Sequence, residues 1–249
     1  MRLGLLSLRR VLTTGPIALA LAAGALLSSN GSPARADRVD REASSIYLAD
    51  CSTCHGADGT GTSRGPSLRN AGAASVDFMV RTGRMPLASP GATDRRKPSP
   101  YSATEQADLI RYVTGLTMGG PEIPVVHPGR GDVANGGQLY RLQCAACHSW
   151  GGNGGALLGR EAPAITAAGP VQVAEAVRTG PGSMPAFGNA ALDHRELDDL
   201  VAYTRTLRSP DDRGGWNLGH LGPVSEGAAA LVLGLGLMIL SIRWLGTNR

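Results

Sequence analysis

Two short stretches hold all four cysteines of the chain, "CSTCHG" at 51–56 and "CAACHS" at 144–149. Each sets two thiols three positions apart, with an imidazole directly after the second. Four chemistries use such residues: a zinc site, a disulfide, a thiol redox pair and covalent haem. A zinc site brings two Cys-x-x-Cys knuckles within about 15–20 residues of each other, whereas 89 residues separate Cys54 from Cys144. Simple disulfides give no reason for His55 and His148 to recur at one offset. A thioredoxin-like pair expects a βαβ context that this sequence lacks. Covalent haem uses all three residue types, the thiols bonding the porphyrin vinyl groups and the histidine lying under the iron. The spacing therefore predicts two c-type haems. Cys51 and Cys54 tether one, Cys144 and Cys147 the other, and His55 and His148 are the proximal ligands.

A low-spin haem needs a sixth ligand, and methionine in that place raises the reduction potential. Of the six methionines, Met1 opens the chain and Met238 lies in an apolar C-terminal run. Met79 reads as core packing and Met118 falls in a linker, neither with a counterpart in the other half. Met85 and Met184 are both followed by proline and lie 30 and 36 residues after their histidines, which makes them the candidate axial ligands. A proximal histidine donates its other N–H to fix its orientation. Pro66 in "GPSL" and Pro163 in "APAI" occupy matching loop positions and offer the carbonyls. Trp150 reads either as a haem-edge contact or as a loop anchor. His194, His127 and His220 are expected in solvent. The basic run "TDRRKPSP", 93–100, has no equivalent in the second half. It reads as a solvated loop, or as a docking surface for an acidic partner.

The elements around these residues also repeat. "RTG" stands at 81–83 and 178–180, Met-Pro at 85–86 and 184–185, and Glu-x-x-Asp-Leu-[Ile/Val]-x-Tyr at 105–112 and 196–203. The chain is thus a tandem duplication of a unit of about 80 residues. In each copy a helix leads into the Cys-x-x-Cys-His turn, and a Gly-rich loop follows. A short helix then ends near Gly83 or Gly180, a Met-Pro loop comes next, and an amphipathic helix closes the unit. Ser102-x-x-Glu105 and Asp193-x-x-Glu196 mark the start of that last helix as capping boxes. Leu109, Ile110, Val113 and Leu116 share one face of the first of them.

Composition and the termini bound the rest. With 35 Gly, 16 Pro and two Phe in 249 residues, a single large aromatic core is excluded. The net charge of +4 comes from four arginines in the first 36 residues; beyond them 20 bases meet 20 acids, and no nucleic-acid surface is implied. Residues 1–36 read as an export signal, with "ARA" before Asp37 as a small-x-small cleavage site, or as an uncleaved anchor. The run "GAAALVLGLGLMILSI", 227–242, with Arg243 and Trp244 after it, predicts a membrane span over 224–246. Arg243 and Arg249 follow the span and Glu226 precedes it, which puts the C-terminus in the cytoplasm and the bulk of the chain outside. The predicted order is all-α: unit 37–118, linker 119–131, unit 132–209, linker 210–223, and the C-terminal helix. The first linker, rich in Pro and Gly, is read as ordered to flexible.

These features together resemble a known family, the dihaem cytochrome c subunit of the actinobacterial quinol–cytochrome c reductase, or cytochrome bcc complex. "GTSRGPSLRNAGAASVDFMVRTGRMPL" and "WNLGHLGPVSEGAAALVLGLGLMILSIRWLG" carry the resemblance beyond the paired haem motif. It implies two class I cytochrome c domains and a C-terminal anchor. It also implies partnership with cytochrome b, a Rieske iron–sulfur subunit and an aa3-type cytochrome c oxidase, with electrons relayed from the Rieske protein to the oxidase. The subunit would belong to an oxidoreductase without a substrate-converting site of its own. Two other functions fit the residues: a free-standing anchored dihaem carrier serving a dehydrogenase or another oxidase, and a catalytic or gas-sensing haem protein with an open sixth position.

Overall fold

The computed structural model describes residues 33–157, 160–210 and 223–247. Residues 1–32 of the expected export signal, 211–222 of the second linker, and with them His220, fall outside the described residues. Helix α1 (Pro33–Asp50) runs into the one-turn α2 (Ser52–His55), then α3 (Gly72–Arg81) and α4 (Ala103–Leu116) complete the first unit. The second repeats this order with α5 (Val133–Gln143), α6 (Ala145–His148), α7 (Pro170–Thr179) and α8 (His194–Thr206), and α9 (Pro223–Thr247) follows. One antiparallel hairpin, β1 (Gly155–Leu157) with β2 (Arg160–Ala162), stands inside the Gly-rich loop of the second unit. In the first unit that loop carries a single bridge between Thr62 and Gly65. The chain is otherwise helical, as its periodicity predicts.

Each unit is held by its first and last helices. α1 packs on α4 and α5 on α8. In the first core Tyr47, Val76, Val80, Leu109, Ile110 and Val113 are buried, and Leu116 packs at the edge. In the second, Tyr140 sits among Val173, Val177, Leu192, Leu197, Leu200 and Val201. The α5–α8 crossing is close enough that a Cβ on Gly136 would stand 1.9 Å from the Asp199 carbonyl oxygen. Any side chain there would push the helices apart. Asp199 is buried beside this crossing, where its carboxylate accepts from the Asp132 N–H at 2.6 Å and the Asn135 amide at 2.8 Å.

The caps form as the sequence predicts. Ser102 Oγ accepts from the Glu105 N–H while Glu105 accepts from the Ser102 N–H at 2.7 Å. Asp193 and Glu196 exchange the same pair at 2.8 Å each. Such caps contribute about 1 kcal/mol apiece. Gly180 ends α7 in the left-handed region at φ 61°, and Gly83 lies one residue past the α3 cap at φ 65°. At Gly83 a Cβ would meet the Lys97 carbonyl oxygen at 2.1 Å, so only glycine fits this turn.

Two segments gain detail beyond their sequence reading. The 117–131 stretch, read as ordered to flexible, lies at the ordered end of that range. Met118 N–H donates to Arg69 O at 2.6 Å, Ala74 N–H to Pro121 O at 3.0 Å, and His127 N–H to Asp198 at 2.6 Å. The basic run 93–100 is solvent-exposed, as a solvated loop should be, yet two of its arginines reach the other unit. Arg95 pairs with Glu161, and Arg96 donates to Gln172 at 3.1 Å, both in the other unit. Both partners of the ion pair remain largely exposed, at 71 % and 61 %. α9 holds a stretch, Ser225–Thr247, long and apolar enough to cross a membrane, with a mean hydropathy of 2.0 and none of it packed against the rest of the chain.

Candidate functional site

The Cys-x-x-Cys-His turn is set by the helix that precedes it. α1 delivers Cys51 after Tyr47, and α5 delivers Cys144 after Tyr140. Each tyrosine is fully buried, and its hydroxyl donates to the first carbonyl past the histidine: Tyr47 to Gly56 O at 2.6 Å, Tyr140 to Ser149 O at 2.7 Å. Each ring also leans on a tyrosine of the closing helix, Tyr112 at 5.6 Å and Tyr203 at 5.3 Å between centroids. Burial raises both phenols above their usual range, so they remain neutral donors. Sequence reasoning gave these residues no role. The signal was present nonetheless: a tyrosine stands four positions before the first cysteine in both copies.

The histidines meet the loop prolines. His55 Nδ1 lies 2.8 Å from Pro66 O, and His148 Nδ1 lies 2.9 Å from Pro163 O. A carbonyl only accepts, so Nδ1 carries the hydrogen in each ring. Nε2 is left with its lone pair, the state a metal-ligating imidazole requires.

None of the four cysteines is disulfide-bonded. Burial, then the charge of Asp50 and the neighbouring Cys54, pushes the Cys51 thiol up to about 12. Burial, then Cys147, pushes Cys144 up to about 11. Among the described residues no three His, Cys, Asp or Glu side chains converge as a metal cage. Two unpaired thiols beside an imidazole whose Nδ1 is already engaged match what covalent haem asks for.

The methionines divide as follows. Met184 packs partly buried at the edge of the second core, in a loop whose N–H groups turn back on Pro181 O and Val177 O. Met85 is half-buried, and its N–H donates to Met79 O at 3.1 Å. Met118 is 76 % exposed and its sulfur accepts from Arg69. Met238 lies on α9. His194 and His127 are exposed, the latter 3.8 Å from Asp198, and Trp150 is about half exposed.

One arginine stands out in the second unit. Arg178 donates to Phe187 O at 2.9 Å, Leu192 O at 2.6 Å and Asp193 O at 3.3 Å, and so clasps the far side of the Met184 loop. Its counterpart Arg81 does none of this and pairs with Asp77 at 2.8 Å.

Comparison with known proteins agrees with this arrangement. The family model described as "Cytochrome c" matches residues 41–117, and that described as "Cytochrome C oxidase, cbb3-type, subunit III" matches 131–203. The chain is 36 % identical over 260 aligned positions to a Mycobacterium tuberculosis protein, covering 97 % of this chain and 92 % of the relative. It is 36 % identical over 227 positions to one from Corynebacterium diphtheriae, covering 84 % and 80 %. A Mycobacterium leprae protein is 36 % identical over 218 positions, covering 84 % and 75 %. All three carry the name "Cytochrome bc1 complex cytochrome c subunit". Two cytochrome c domains carry two covalently bound haems c.

Proposed function

Since the chain belongs to the family of cytochrome c subunits of the cytochrome bc1 complex, we propose that it relays electrons from a Rieske iron–sulfur subunit to an aa3-type cytochrome c oxidase. Electron transfer within an oxidoreductase complex of the membrane is the family's own property. The identity of the donor and the acceptor, and cytochrome b as the neighbouring subunit, are our reading.

Within the chain, Cys51 and Cys54 tether one haem in the unit spanning 37–118, and Cys144 and Cys147 tether the other in the unit spanning 132–209. His55 and His148 offer Nε2 to the irons, oriented by the Pro66 and Pro163 carbonyls. Met85 and Met184 offer their thioether sulfurs from the opposite loops. Bound in this way, haem supplies reversible one-electron chemistry, its iron cycling between ferrous and ferric states. The protein's part is to hold, orient and shield. Tyr47 and Tyr140 fix the turn after each histidine, and Arg178 fixes one methionine loop. The chain needs no general base or nucleophile and has no substrate-converting site of its own. α9 crosses the membrane with the C-terminus in the cytoplasm and the haem units outside, in keeping with Arg243 and Arg249 after the span and Glu226 before it.

Similarity along nearly the full length of a bc1-complex subunit, both motifs and the C-terminal apolar helix included, carries this reading. Purification in mild detergent, with copurified subunits identified by mass spectrometry, tests it. Cytochrome b, Rieske and oxidase subunits are expected. A dihaem chain that comes through alone, under conditions that preserve complexes, would be a free-standing carrier instead.

A further inference from the structure

The two haem units meet along α3 and α7. On α7 Glu175 is fully buried, and no donor reaches either of its carboxyl oxygens. The polar group it faces across the seam is another carboxyl, Asp77 of α3. Asp77 is itself buried, and its Oδ1 accepts from Arg81 Nε at 2.8 Å. Asp77 and Arg81 are the charged groups of α3 that act on Glu175; α8, the other helix packed on α7, brings none to bear.

The charge count decides the state of this cluster. Two ionised carboxylates against one guanidinium would leave an uncompensated negative charge out of water, a costly arrangement. Two carboxyls can also bond each other only when a proton sits between them. The basic run 93–100 straps the two units together as well, through Arg95 with Glu161 and Arg96 with Gln172 at the surface. These surface pairs are exposed and tolerate any pH near neutral, whereas the buried pair needs its proton.

We propose that Glu175, Asp77 and Arg81 are positioning residues for electron transfer between the two haems: the protonated Glu175 carboxyl, donating to Asp77, keeps the seam closed and so fixes one haem unit against the other. This extends the relay reading above, on which its link to electron transfer rests. The sign of the pH dependence follows from the site. Burial, and then the charge of Asp77, raises the Glu175 carboxyl from an ordinary 4.5 to about 9, with Arg81 acting in the opposite direction. An opened seam would release the proton anywhere above 4.5. Closure is therefore strongest below that value and weakens as pH rises toward about 9, by up to about tenfold per pH unit.

The test uses the full-length dihaem protein in detergent, with no partner subunit, so its outcome is independent of whether the relay partners are the right ones. Infrared difference spectra between about pH 6 and about pH 10 read the carbonyl stretch of a protonated carboxyl. That band is expected in the native chain, lost on alkalinisation, and missing from Glu175→Gln, whose amide reproduces the neutral form. Hydrogen exchange of residues 93–100 and 170–179, corrected for the intrinsic effect of base, is expected to accelerate with pH in the native chain. In Glu175→Gln that excess slope should vanish. Asp77→Asn, which leaves Glu175 alone with Arg81, serves the same two measurements if the glutamine variant fails to incorporate haem, and should also flatten the slope. A carboxyl band that survives these substitutions, or an exchange slope that is the same in native and substituted chains, overturns the proposal.

Discussion

The two haem units share one proximal side and differ on the other. Around each Cys-x-x-Cys-His turn the contacts repeat almost atom for atom. A buried tyrosine holds the carbonyl after the histidine, a loop proline carbonyl takes Nδ1, and a second tyrosine leans on the first. The methionine loops, by contrast, are secured by unrelated means. In the second unit Arg178 reaches from α7 to three carbonyls of the loop. In the first, Arg81 is diverted to Asp77, and the inserted segment does the work. There Lys97 N–H donates to Thr82 O at 3.2 Å, Lys97 Nζ to Pro86 O at 2.8 Å, and Arg84 to Asp94 O at 2.6 Å. The Arg84 guanidinium also stacks 5.1 Å over the Phe78 ring. The difference teaches that the proximal geometry is one solution used twice, while each distal loop has been solved separately.

The largest expected effect would break the symmetry outright. Met85→Ala and Met184→Ala should each lower one midpoint potential only, by a sizeable part of the roughly 0.8 V over which axial ligands act, with covalent attachment intact. Redox titration of the full chain reads this, and two unmoved midpoints would remove these methionines from the ligand set. Next comes the clasp. Arg178→Ala should destabilise the second unit by about 2–3 kcal/mol, because it strips partners from several partly buried carbonyls. It should also make that haem alone bind carbon monoxide, whereas Arg81→Ala should leave carbon monoxide binding in the first unit unchanged. Equal behaviour of the two variants would erase the distinction drawn above.

The shared side predicts equality instead. Tyr47→Phe and Tyr140→Phe should each cost about 1 kcal/mol in thermal or denaturant unfolding, each leaving one carbonyl without its donor. The smallest effects belong to the caps, where Ser102→Ala and Asp193→Ala should cost about 1 kcal/mol or less. The Ser102 cap has an acid limit of its own. The Ser102 hydroxyl, and then its N–H, hold the Glu105 carboxyl below its ordinary 4.5. Its contribution is therefore full above that value and lost as the pH falls beneath it. Melting of the first unit followed on acidification checks the sign.

What could be read from the sequence was local or repeated. The caps, the apolar face of α4 and the glycines past α3 and α7 depend on residues a few positions apart, so spacing alone exposes them. The prolines opposite His55 and His148 were visible because two copies could be laid side by side. The buried tyrosines could have been found in the same way. Contacts between the units were not legible. Arg95 with Glu161, or Glu175 with Asp77, joins residues with no counterpart in the other copy, and only the packing of α3 on α7 brings them together. The partners of the basic run were hidden for that reason, since they lie 66 and 76 residues away. The first linker, read as ordered to flexible, owes its order to contacts of the same long-range kind. Its prolines and glycines have no periodicity, yet its backbone is held from both sides.

The strap at 93–100 has a consequence for inheritance. Aligned on the "RTG" triplets, Phe78 stands in the first half where Glu175 stands in the second. A gene carrying two first halves would face a phenyl ring with the buried acid's neighbours and leave Arg95 and Arg96 nothing to grasp. Two seconds would lack the strap altogether. Copies that began interchangeable have become a left hand and a right, and a chimera that respects their ancestry but ignores their handedness should not assemble.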